Sequence, residues 1–250
     1  MIWLLPWEKD VDTRHTPWAT WLLVCVNVVV FVLMALSPES GDATIATYGL
    51  NPHDPHGYQY ITSDFVHAGF AHLFFNMVFL LLFGDKVEDA FGPLGFVLLY
   101  FLGGLAGDLI FVHANQATDL PSVGASGCIS AIAGAYGALF ISSSISVRVF
   151  LLVFPVMTLQ LRAFWFLLLY FGADIYSTFA GHGALDPEGG TNFVAHGIGF
   201  VFGLAVGIVG LLYGLRRRYE TLDDGDDWFG YWPARLEATA KRKRYARRMQ

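Results

Sequence analysis

Charge is scarce in this sequence. Only 14% of its 250 residues are Asp, Glu, Lys or Arg, while 55% are hydrophobic and 16% aromatic. Soluble domains carry about 25% charge, so an ordinary soluble class is excluded and a membrane class is implied. The formal net charge is −6, which argues against nucleic acid as a partner. What positive charge there is gathers in one tail, "KRKRYARR". Cysteine is nearly absent as well. Cys25 and Cys128 each stand in an apolar run, which leaves no disulfide framework and no CxxC metal pair. Both thiols are expected to be buried. HExxH is also missing and most histidines scatter through loops, so no metal and no cofactor are expected.

Long apolar runs are what the chain has instead. The first, Trp18–Leu36, follows the lead-in "WEKDVD" and is too long for a signal-peptide core. It reads as a retained spanning helix of the usual ~20 residues. Hydropathy places five more spans near His72–Val87, Leu94–His113, Ser126–Ser144, Gln160–Thr178 and Phe193–Leu215. Between spans one and two lies a polar loop, Ser37–Ala71, whose "NPHDPHGYQY" forbids a regular helix there. The expected domains are a cytoplasmic segment 1–17, a six-span domain 18–215, and a polar cytoplasmic tail 216–250.

The basic residues test this count. Lys9 and Arg14 precede span one, Lys86 ends span two, and Arg148 and Arg162 lie between spans four and five. The other ten Lys and Arg follow span six, so all 15 fall on one side. The positive-inside rule makes that side the cytoplasm and places both termini there. No internal repeat and no matching pair of broken helices is visible, which argues against a transporter built from inverted repeats.

Polar groups inside such spans are costly and need reasons. His72 and Asn76 are four residues apart and share one face of span two. Taken alone, they read as hydrogen-bonding glue between helices. Ser126 opens span four inside "VGASGCISAIAGAYG", a stretch dominated by Gly, Ala and Ser. A serine there is ordinarily an N-cap, but Gly124 and Gly127 beside it permit close approach of another backbone or a substrate. Ser126, Ser130, Ala133, Gly134 and Gly137 share one nearly flat face. In span six His196 is followed by Gly199, Gly203 and Gly207, a small-residue stripe suited to close helix contact. If the two stripes pack, Ser126 and His196 meet near one end as a nucleophile beside its general base. Asp108 and Asp174 lie near outer helix ends and read as solvated or hydrogen-bonded groups, so no carboxylate completes a triad.

These residues resemble the rhomboid family of intramembrane serine proteases over about Tyr60–Gly207. "TSDFVHAGFAHLFFNMVFLLLFGDKVEDAFG" resembles the family's second span with its His-x-x-x-Asn, "GASG" its Gly-x-Ser-Gly motif, and "AHGIGFVFG" its His-x-x-Gly-x-x-x-Gly. The sequence departs from the pattern at "YQY", where an aromatic–Arg pair is frequent, and at Ala131, where Gly is frequent. The resemblance implies an all-α six-transmembrane-helix bundle with a Ser126–His196 dyad. It also implies an oxyanion site from His72, Asn76 and backbone N–H groups about Ser126, with Gly124 among them. The expected function is cleavage of transmembrane protein substrates within the lipid bilayer of the cell membrane. The competing expectation is a non-catalytic relative that binds transmembrane clients without cutting them.

Overall fold

The computed structural model describes residues 2–8, 13, 15–37, 41–151, 154–179 and 192–213. The tail 216–250, Lys9 and Arg14, and the side chain of Asp174 lie outside the described residues. In chain order the elements are β1 (Ile2–Glu8), α1 (Trp18–Leu36), α2 (Gly41–Tyr48), α3 (Gln59–Thr62), a 3-10 turn (Ser63–Phe65), α4 (Phe70–Ala114), α5 (Ser126–Phe140), β2 (Ser144–Leu151), β3 (Phe154–Arg162), α6 (Ala163–Phe179) and α7 (Phe193–Leu212). Helices dominate, but the all-α expectation needs correction, because β1, β2 and β3 form an antiparallel sheet in that order.

Spans four and five were expected to run to Ser144 and from Gln160. Instead α5 stops at Phe140, and Ser144 and Gln160 pair across the β2–β3 hairpin two rungs apart, Ser144 with Arg162 and Ser146 with Gln160. The run "SISVRVFL" is rich in β-branched residues and alternates, which favours a strand where apolar content alone suggests a helix. Arg148 pairs with Leu5 across the sheet and its guanidinium sits 4.8 Å over the Trp7 ring.

Among the described residues three helices, α1, α4 and α7, are long and apolar enough to cross a membrane; α5 and Ala163–Gly172 are shorter apolar helices. Their outward faces carry large apolar side chains, including Leu22 and Leu33 on α1 and Val201 and Leu212 on α7. Surfaces of this kind suit lipid rather than water, and this is a membrane protein. Cys25, expected to be buried, is exposed on α1, while Cys128 is buried.

The two expected spans His72–Val87 and Leu94–His113 both lie in α4. Gly92 breaks it, with a φ of 74° that favours glycine, and Pro93 follows at the start of the second half. Side-chain neighbours show that the chain doubles back there. A Cβ on Gly124 would fall 2.6 Å from the His72 ring, and one on Gly107 would fall 2.8 Å from the Ala195 carbonyl oxygen. A straight helix would hold His72 and Gly107 roughly 52 Å apart at its 1.5 Å rise per residue, yet both reach the same end of the bundle.

The opposite end is held by carboxylates next to the Gly92 turn. No residue of α1 caps its own N-terminus. Glu88 does so from α4, accepting from the backbone N–H groups of Ala19 (3.0 Å) and Thr20 (2.8 Å) and from the Thr20 hydroxyl (2.8 Å). Asp89 accepts from the His15 backbone N–H at 3.0 Å and also contacts the His15 ring.

Candidate functional site

Ser126 begins α5, and His196 lies in the first turn of α7. The small-residue stripes position them. A Cβ on Gly199 would meet the Gly127 carbonyl oxygen at 2.4 Å, on Gly203 the Ala131 carbonyl oxygen at 1.8 Å, on Gly207 the Ala138 Cβ at 2.7 Å, and on Gly134 the Phe200 carbonyl oxygen at 2.1 Å. The two backbones are thus in direct contact, which lipid-embedded helices achieve only through such residues. Ala131 also faces Gly103 of α4, which accommodates its methyl group, while Gly203 of α7 lies against its backbone.

The contacting face is rotated from the one expected. Gly127, Ala131, Gly134, Ala135 and Ala138 meet α7, whereas Gly137 faces Leu167 of α6. Gly137 is therefore removed from the α5–α7 stripe. The rotation has a chemical consequence: Ser126 and Ala133 open into a cavity of about 450 Å³, and Ser130, whose Cβ borders Gly199 of α7, lines its edge. His72, Asn76, Asn192 and His196 line the same cavity. The structure thus brings four sequence-selected residues, Ser126, His196, His72 and Asn76, to one space.

Asn76 donates from Nδ2 to the His72 carbonyl at 3.0 Å, which orients the amide while its second N–H has no acceptor among the described residues. Gly124 has a φ of 110° and lies directly beneath the His72 ring. Its N–H donates to the Ser63 carbonyl at 2.8 Å. That amide is committed to the 3-10 turn, so the expectation of Gly124 as an oxyanion donor is corrected: it makes room for His72.

Residues missed in the sequence surround this core. His67 is buried, with its ring centroid 5.0 Å from that of His72. Burial and the neighbouring His72 pull it down to about 4, so it is a neutral ring at physiological pH. In the 3-10 turn, Asp64 is buried against Asp108 of α4 and the Cys128 thiol of α5. Asp108 was expected to be a solvated or hydrogen-bonded helix-end group; at 7% exposure it is not solvated. Burial, together with the charge of Asp108, raises Asp64 well above the usual carboxylate range, and the Cys128 thiol opposes this.

A carboxyl whose folded pKa lies above its unfolded value of about 3.9 stabilises the fold below that value. The contribution is lost as pH rises through the folded pKa. Detergent melting of wild type should therefore fall as pH is raised above 4, and Asp64→Asn should flatten that decline. Parallel pH–melting curves for the two proteins would contradict the assignment.

A Rhomboid domain family model matches residues 54–213. The chain is 29% identical over 208 residues to "Rhomboid-like protein 17, chloroplastic" of Arabidopsis thaliana, covering 76% of this chain and 61% of that protein. It is 33% identical over 125 residues to "Putative rhomboid protease YdcA" of Bacillus subtilis (strain 168), covering 49% of this chain and 62% of the relative. "Inactive RHOMBOID-like protein 8" of Arabidopsis thaliana is 33% identical over 78 residues, covering 31% and 22%. The matched regions thus span less than two thirds of these relatives' own lengths.

Proposed function

The chain belongs to the rhomboid family, and from that premise we propose that it is an intramembrane serine endopeptidase cutting transmembrane segments of other proteins. The observation that carries this reading is the shared cavity, where a serine, an imidazole and two further polar side chains converge inside an apolar bundle. Ser126 attacks the scissile carbonyl as His196 takes its proton. His72 and Asn76 supply hydrogen bonds to the oxyanion of the tetrahedral intermediate. His196 returns the proton to the leaving amine, and a water activated by the same imidazole hydrolyses the acyl-enzyme.

The proposed topology has six spans. Strand β1 precedes α1 and pairs with β2, which follows α5, so an even number of crossings separates them. Four satisfy this: α1, the two halves of α4, and α5. With α6 and α7 the count is six, and Lys86, Arg148 and Arg162 fall at the sheet end. That end is assigned to the cytoplasm, with both termini and the tail 216–250 on that side of the cell membrane. At 15 residues, α5 is about 22 Å long, shorter than the hydrocarbon thickness of ~30 Å. Its neighbours shield its ends, so Ser126 sits recessed below the outer surface.

A transmembrane substrate hides its carbonyls in helical hydrogen bonds that lipid cannot replace. It must unwind where it meets Ser126. With cut sequences matched in reconstituted single-span substrates, Gly or Pro just beyond the cut should speed cleavage relative to Leu, since each weakens a helix interior by ~1–3 kcal/mol. A cut placed at the cytoplasmic end should not be made. Equal rates with and without the helix breakers, or efficient cutting at the inner end, would sink this mechanism.

The similarity to a relative named as inactive sustains one alternative, a client-binding protein that does not cut. That reading gives no account of why a nucleophile, an imidazole and both oxyanion candidates share one cavity. Substrate capture without product, by protein whose Ser126 resists acylation, would favour it.

A further inference from the structure

Asn192 stands immediately before α7 and is 5% exposed. Its side chain uses both ends of its amide. Oδ1 accepts from the Ala195 backbone N–H at 2.9 Å, while Nδ2 donates to the Ser122 hydroxyl oxygen at 2.9 Å. Its carbonyl oxygen accepts from the His196 N–H at 3.2 Å. Asn192 therefore fixes the turn that carries the imidazole and reaches across to the segment leading into Ser126.

That segment is itself anchored. Ser122 exchanges two backbone hydrogen bonds with Leu50 (2.9 and 3.0 Å), and the Gly124 N–H is held by Ser63. Ser122 is thus a fixed post four residues before Ser126. A buried amide whose donor and acceptor are both engaged holds its two partners at a set separation, and each partner forfeits a hydrogen bond when it is removed.

Building on the protease reading above, we propose that Asn192 is a positioning residue: its side-chain bridge from Ser122 to the first turn of α7 sets the placement of His196 relative to Ser126. Small displacements of reacting groups carry large kinetic costs, so the bridge acts on turnover more than on substrate affinity.

The bridge can be cut at either end. Ser122→Ala leaves the Asn192 cap on Ala195 in place and removes only the cross-link; Asn192→Ala removes both. Each should lower kcat about 10–100-fold with KM changed less than twofold, and the double variant should be no worse than Asn192→Ala. Asn192→Asp keeps the cap acceptor and can take a hydrogen bond from the Ser122 hydroxyl. It should therefore recover most of kcat with Ser122 present and none in the Ser122→Ala background. A merely structural residue would shift melting in all variants without this Ser122-dependent rescue.

The readouts are cleavage of a reconstituted single-span substrate and the rate of fluorophosphonate labelling at Ser126, with melting in parallel. Wild type labelled at Ser126 but matched in kcat by Ser122→Ala would overturn the positioning role and spare the protease. Wild type that neither cleaves nor labels would overturn the protease reading, and the positioning role with it.

Discussion

Ser126→Ala and His196→Ala should each abolish cleavage, with losses approaching the roughly 10⁶-fold typical of a nucleophile or its base in serine proteases. The double variant should be no worse than either single one. Both residues open into one cavity at one end of the bundle, and groups acting in one proton transfer do not contribute additively. Asn76→Ala should fall between these and wild type. Loss of one oxyanion donor costs about 10²–10³ in rate, whereas loss of helix glue would lower melting and leave the turnover of the folded fraction unchanged. Measuring kcat with detergent melting on all four proteins separates the roles. Substantial proteolysis by purified Ser126→Ala would remove the mechanism.

Gly203→Val should be the most damaging packing change. A Cβ at this position would lie 1.8 Å from the Ala131 carbonyl oxygen and 2.5 Å from its carbon. These are backbone atoms with no rotamer to move, so α5 and α7 must separate. Overpacking ordinarily costs about 1–3 kcal/mol, and a clash with rigid backbone should exceed that range. Gly197, on the same helix, has nothing within 4 Å of its would-be Cβ. Gly197→Ala is the matched control and should melt at or slightly above wild type, since alanine is the better helix former. If Gly203→Val melted with wild type, the α5–α7 contact would be wrong.

The contrast between these glycines shows what a sequence of this kind reveals. Apolar side chains gain little by leaving lipid for a helix interface, so close packing must be written in small residues. The stripe Gly199, Gly203, Gly207 was legible for that reason. The His72–Asn76 pair was legible because polar groups at helical spacing are conspicuous in an apolar run. The rotation of α5 was not legible. A wheel groups residues by angle, and Gly137 shares a sector with Ser126 whether that sector meets α7 or a cavity.

Other features depended on distant partners. Glu88 caps α1 from 69 positions away at Ala19, and no local pattern at Trp18 announces it. The strands were hidden because their apolar residues satisfy a hydropathy window as well as a helix does; the β-branched alternation of β2 is the local signal, and pairing with β1 completes it. Gly124 stands where a backbone donor is expected, but its N–H is engaged by the Ser63 carbonyl, which lies far away in sequence. Asn192 carries a local signal of its own: Asn before an apolar helical run is a preferred N-cap. Its second bond, to Ser122, needed the fold.

The central claim is that Ser126 is a nucleophile activated by His196, and covalent labelling tests it most directly. Purified protein treated with a fluorophosphonate, digested and mapped should carry the adduct on Ser126, and His196→Ala should lose it while melting like wild type. An adduct on another serine, or labelling of Ser126 that persists undiminished without His196, would contradict the account.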